Sequence, residues 1–110
     1  MRLALCVFLF SLVVPVFAQN NKPVADRLAA QNALFDEQYE TDLRNFPERA
    51  TDYGDYRYND QLNDYSLDAI RRHHHDDEGL LKRIQMISTN GFSDQDQLSH
   101  DLLIRLLERR

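Results

Sequence analysis

Residues 24–47 read VADRLAAQNALFDEQYETDLRNFP, and this run decides the fold class. Val24, Leu28, Phe35, Tyr39, Leu43 and Phe46 recur at spacings of three, four or seven, the period of a helix with one buried face. The spacing predicts a helix from Val24 to Asn45. Pro47 ends it, because proline disfavours helical geometry in the residue before it, while its fixed φ suits the first turn of another helix. A short helix over Pro47 to Tyr53 is therefore expected, closed by Gly54 in the left-handed conformation.

Toward the C-terminus, Asp55 to Tyr65 carries Asn59, Asp60, Asn63 and Asp64, residues that favour turns. Ser66 is placed to cap a third helix, in which Leu67, Ile70, His74, Leu81, Ile84 and Ile87 follow at helical spacing. Asn90-Gly91 marks a turn, and Ser93 with Asp96 resembles a capping box. Leu98, Leu102, Ile104, Leu106 and Leu107 then carry a last helix toward Arg110. No window alternates strictly with a β-branched bias, and no repeat is visible. The expected fold is all-α, antiparallel helical hairpins of three long helices and one short one.

Toward the N-terminus, Arg2 precedes an apolar stretch, Leu3 to Phe17, broken only by Ser11 and Pro15, and Val16-Phe17-Ala18 suits a cleavage site. Residues 1–18 read as a cleaved secretory signal, and 19–23 as a polar linker. The run is shorter than the ~20 residues of a spanning helix, so no stable membrane span is expected after cleavage. Gln19 stands where a lipoprotein signal needs cysteine. The reading implies export, to the periplasm or the medium.

Without that segment 92 of the 110 residues remain, and Leu, Ile, Val and Phe number only 20 of them. Any core is thin. The net charge, −5 for the whole chain, is spread without a basic stripe, which argues against nucleic-acid binding. Cys6 is the only thiol and lies in the leader, so the mature chain has neither a disulfide nor a thiolate metal site.

The loudest local signal is His73-His74-His75-Asp76-Asp77-Glu78. On a helix these six side chains cannot converge; the usable pairs are His73 with Asp77, and His74 with Asp77 or Glu78. A tight metal site needs a third donor, and only His100 remains as a histidine. The simpler reading is a solvated helix face, with His74, which shares the face of Leu67, Ile70 and Leu81, as a hydrogen-bonded core histidine. His75 and His100 are each followed by aspartate, so the His-Glu signature of helical zinc proteases is missing, as is any Gly-x-Ser-x-Gly. Gly79 inside the third helix costs ~1 kcal/mol relative to alanine and suggests a kink or a close approach. Tyr53, Tyr56, Tyr58 and Tyr65 suit a loop packed over helices, with ligand contact as the alternative. The oxygens at 55, 59, 60, 63 and 64 could hold calcium, but not in EF-hand order. No catalytic, cofactor-binding or metal-binding residue is assigned.

Taken together, Phe35-Asp36-Glu37-Gln38-Tyr39, Asn45-Phe46-Pro47-Glu48-Arg49-Ala50-Thr51 and Gly54-Asp55-Tyr56-Arg57-Tyr58-Asn59-Asp60 resemble the N-terminal region of a bacterial family, domain of unknown function 885. The resemblance covers most of residues 24–110. It implies a longer, exported or membrane-tethered helical protein similar to zinc-dependent metallopeptidases, whose zinc motif lies far downstream. Zinc is thus implied for the full-length family only, and no position here matches its ligands. The broad aliphatic arc of the last helix agrees with a truncated N-terminal part, non-catalytic alone, forming a helical cap or wall that packs against the rest of a parent polypeptide. The alternative is a small self-contained exported helical module that binds a protein partner through the same face.

Overall fold

The computed structural model describes residues 22–110; the expected signal segment and most of the linker lie outside them. The described residues form α1 (Val24–Asn45), α2 (Pro47–Asp52), α3 (Leu67–Gln85) and α4 (Asp94–Glu108), with a 3-10 turn at Tyr56–Tyr58. No strand occurs among the described residues. Local chemistry sets the boundaries. Pro47 occupies the first turn of α2. Ser66 Oγ accepts from the Ala69 N–H at 3.2 Å, and Ser93 Oγ accepts from the Asp96 N–H at 3.2 Å, so two helix starts have hydroxyl caps. Acidic residues stand in every first turn and basic ones in every last turn, matching the helix dipoles.

Long-range bonds fix the directions of the helices. Arg27, near the start of α1, reaches the carbonyls of Ser88 and Asn90 just past α3, so α1 and α3 run antiparallel. Gln31 donates to the Asp96 carbonyl at 3.2 Å, which puts the starts of α1 and α4 together. The remaining pair, α3 and α4, forms an antiparallel hairpin. Among the three long helices lie Leu34, Leu80, Ile84, Leu103 and Leu107, flanked by Phe35, Leu81, Ile87 and Ile104. Full burial of each such side chain contributes about 1.5–3 kcal/mol, so five central residues make a small core.

The helices form where expected, but the buried faces are turned. On α1 the inward row is Arg27, Gln31, Leu34 and Thr41, joined by Leu43, while Val24 and Tyr39 face solvent. On α3 it is Ala69, Leu80 and Ile84, with His73, Asp77 and Leu81 half-buried; Leu67, Ile70 and His74 are exposed. The expected core histidine is therefore not His74. A row that includes arginine, glutamine and threonine is invisible to hydrophobic periodicity, yet it can be buried when its polar groups find partners.

Arg27 has such partners. It is 7% exposed, donates from Nη2 to the Asn90 carbonyl at 2.7 Å, from Nε to the Lys22 carbonyl at 3.1 Å and from Nη1 to the Ser88 carbonyl, and lies 5.4 Å from the Phe92 ring centre. The turn it grips contains Gly91 at φ +82°, where a Cβ would also come within 3.1 Å of the Val24 side chain. Gly79 differs: α3 passes through it unbroken, and a Cβ there would meet nothing within 4 Å. The close approach expected at this position is absent.

The tyrosine segment is likewise not packed over the helices, since Tyr53, Tyr56 and Tyr65 are exposed and only Tyr58 is half-buried. Polar ties hold it instead. Arg57 bonds Asp55 at 2.6 Å and pairs with Glu40 of α1 at 3.0 Å, while Asn63 donates to Glu48 of α2 at 2.6 Å. Asn59 accepts from Thr51 Oγ1, and Asp64 from the Ser66 N–H. The oxygens considered for calcium are thus largely engaged by the protein's own donors.

Two outcomes test this fold. Arg27→Ala is expected to lower the unfolding free energy in urea by about 2–3 kcal/mol, because three carbonyls lose a charged donor and a buried side chain is removed, with Arg27→Lys restoring part of the loss. Gly79→Ala is expected to raise it by about 1 kcal/mol, the ordinary helix-interior difference, since no atom opposes the added methyl.

Candidate functional site

Helical geometry splits the six-residue cluster on α3 as expected. His73 and Asp77 turn toward α1, His74 follows at the rim, and His75, Asp76 and Glu78 face solvent. The first group lines a cleft of about 270 Å³ together with Asp42 and Phe46 from the end of α1, Arg49 from α2 and Arg110. Phe46 is the aromatic floor: the His73 ring lies tilted against it at 5.3 Å between centroids, and the Arg49 guanidinium stands 4.7 Å from its centre.

Arg110 bridges the carboxylates of this cleft. Its two terminal nitrogens bond the two oxygens of Asp42 at 2.6 Å each, a bidentate pair, and Nη1 lies 3.5 Å from Asp77. The hydrogen bonds to Asp42 push the Arg110 guanidinium still higher in pKa. Asp77 moves the other way from a well-paired acid. Burial raises its pKa above the ordinary 3.8, and the nearby Arg110 offsets this only in part.

The cleft lining contains no serine, threonine or cysteine. No group of three His, Cys, Asp or Glu side chains among the described residues is arranged to hold a metal ion. Arg110 with Asp42 and Asp77 forms an electrostatic tie between α1, α3 and the end of the chain. His100, the remaining histidine donor, is remote from this cleft: it is buried, with Nε2 3.0 Å from the Ile84 carbonyl, and serves the α3–α4 hairpin.

A different surface distinguishes α4. His100, Leu103 and Leu107 point inward and Ile104 is half-buried, so the broad aliphatic arc divides in two. Leu98, Leu102 and Leu106 form the outer row, 53%, 54% and 39% exposed. At four-residue steps these leucines make a slanting stripe about 12 Å long on the outside of the 15-residue helix, at 1.5 Å per residue. Of the five aliphatics of the expected arc, Leu98, Leu102 and Leu106 are on this stripe, while Leu107 belongs to the core and Ile104 to its edge.

Arg27, Gln31 and the Asp42–Arg110 pair escaped the sequence reading. Asp42 and Arg110 stand 68 positions apart, and no spacing rule connects them. His100 was recoverable, since His100, Leu103 and Leu107 follow helical spacing as one row. No helix among the described residues is long and apolar enough to cross a membrane. The chain matches no family model, no curated protein and no solved structure.

Asp77 yields a prediction with a definite sign. Its carboxylate, 13% exposed, has a folded pKa above the unfolded value, so ionisation opposes folding at neutral pH and the penalty is relieved as pH falls through the folded pKa. Asp77→Asn is expected to raise the thermal midpoint at pH 7, and the gain should shrink as the pH is lowered and vanish below the ordinary 3.8. Melts followed by circular dichroism across that range check it.

Proposed function

We propose that residues 24–110 are a non-catalytic helical docking unit that works through protein contact along the outer face of α4. The single observation that carries this reading is the stripe Leu98, Leu102 and Leu106, left 53%, 54% and 39% exposed beside a core of only five central residues. Leucines aligned on one face of a rigid helix suit a helix or groove on a protein, because each burial contributes about 1.5–3 kcal/mol without ordering a flexible segment.

The resemblance to domain of unknown function 885 supports one form of this reading, in which the unit is a wall beside further polypeptide of an exported metallopeptidase-like protein. The apolar run Leu3 to Phe17 supports export. In the other form the same face serves a self-contained exported module. Both give α4 the same work, and neither draws a catalytic step from these residues.

Site-specific photocrosslinking tests the reading. A photoreactive residue at Leu102 in cells producing the chain is expected to give a discrete covalent adduct, and one at Asp68, an exposed α3 position, none. An absence of adducts at Leu102, or equal labelling from both positions, would refute it.

A further inference from the structure

The outer face of α4 carries more than leucines. Asp94, Asp96 and Asp101 lie in the first part of the helix and Arg105 and Arg109 in the last, with Glu108 the one charge of that end against the pattern. At about 100° per residue, Asp94, Asp101 and Arg105 fall along one edge of the leucine stripe, and Arg109 falls at its C-terminal end. The Asp94 carboxylate and the Arg105 guanidinium have no ion-pair or hydrogen-bond partner among the described residues. Arg109 donates from Nε only to the Arg105 backbone carbonyl, at 3.2 Å.

A face with leucines evenly spaced about Leu102, acidic toward one end and basic toward the other, is complementary to itself when turned end for end. We propose that α4 pairs with α4 of a second copy of this chain, antiparallel and about a two-fold axis through Leu102. Leu98 then meets Leu106 of the partner subunit, and Leu102 meets its own counterpart. Asp101 faces Arg105 of the partner subunit, Asp94 faces Arg109 of the partner subunit, and the symmetry repeats each contact. In a parallel two-fold pair the two charged edges lie on opposite sides and make none of these contacts, so charge selects the antiparallel arrangement. The antiparallel pairing also brings the opposite ends of the two helix dipoles together. A three-leucine stripe is narrow for a permanent interface, which places the dimer among weak, concentration-dependent ones.

This inference rests on α4 being the docking face and names its occupant. Sedimentation of the chain as recovered from producing cells tests it, with the wild type compared with Asp101→Arg and Arg105→Asp. The wild type is expected to show a reversible monomer–dimer equilibrium. Each single reversal should weaken it about tenfold, because two attractive pairs become repulsive. An equimolar mixture of the two variants is expected to restore association, since a positive position 101 in one variant then faces a negative position 105 in the other. Thermal melts check that both variants are folded. A wild type that stays monomeric, reversals without effect, or a mixture that fails to recover would each overturn the self-pairing. If the wild type is monomeric while Leu102 crosslinks to a different polypeptide, self-pairing falls and the docking reading stands.

Discussion

A single buried guanidinium holds the arrangement of helices. Arg27 has no carboxylate beside it; its partners are the carbonyls of Lys22, Ser88 and Asn90 and the face of Phe92. Ser88 and Asn90 follow the C-terminus of α3, the negative pole of that helix, so a fixed positive charge is favoured there even without an acid. Removing a charge from water costs several kcal/mol, which three carbonyl acceptors and a ring offset only if the turn stays in place. The turn in turn directs α4 back along α3 and against α1. Where α4 lies, and which of its faces is free, therefore follows from Arg27 as much as from the leucines.

The far ends of the helices are joined by a second, half-buried arginine. Arg110 engages Asp42 bidentately and Asp77 at longer range, closing α4 onto α1 and α3. Between the two ties lies a core too small to use all the aliphatics of α4, and His100, Leu103 and Leu107 complete the inner layer. Gln31 sits in that layer fully buried, with Nε2 bonded to Asp96 and Oε1 without a partner, a further sign that polar groups share a thin interior. Leu98, Leu102 and Leu106 are the surplus, aligned on the outside of the helix rather than scattered over the surface.

Much of the fold was legible because it is written locally. Pro47 and the Ser66 and Ser93 caps mark helix starts within a few residues, and the bounds of α1 came out as read from Val24 to Asn45. The orientation of the faces was not legible. Periodicity counts apolar residues, and on α1 it favoured Val24 and Tyr39 over Arg27 and Gln31, whose burial depends on carbonyls more than 60 positions away. His74 was drawn inward by its proximity to Ile70 in the helical pattern, but the residue that packs against Phe46 is His73. The histidine run read as a loud signal, yet a helix disperses adjacent side chains around its axis, so chemical density in sequence did not become density in space. The α4 arc could be read as too broad for one neighbour, whereas which leucines would be left outside depended on the tertiary seat of α3.

The central claim is that α4 has a packed inner face and a free outer one. Solution NMR of methyl-labelled leucines in the presence of a soluble paramagnetic probe addresses it directly, in dilute protein. Strong attenuation of the Leu98, Leu102 and Leu106 methyl signals is predicted, with those of Leu103 and Leu107 spared. Equal attenuation of all five, or protection of the outer three in the dilute chain, would contradict it.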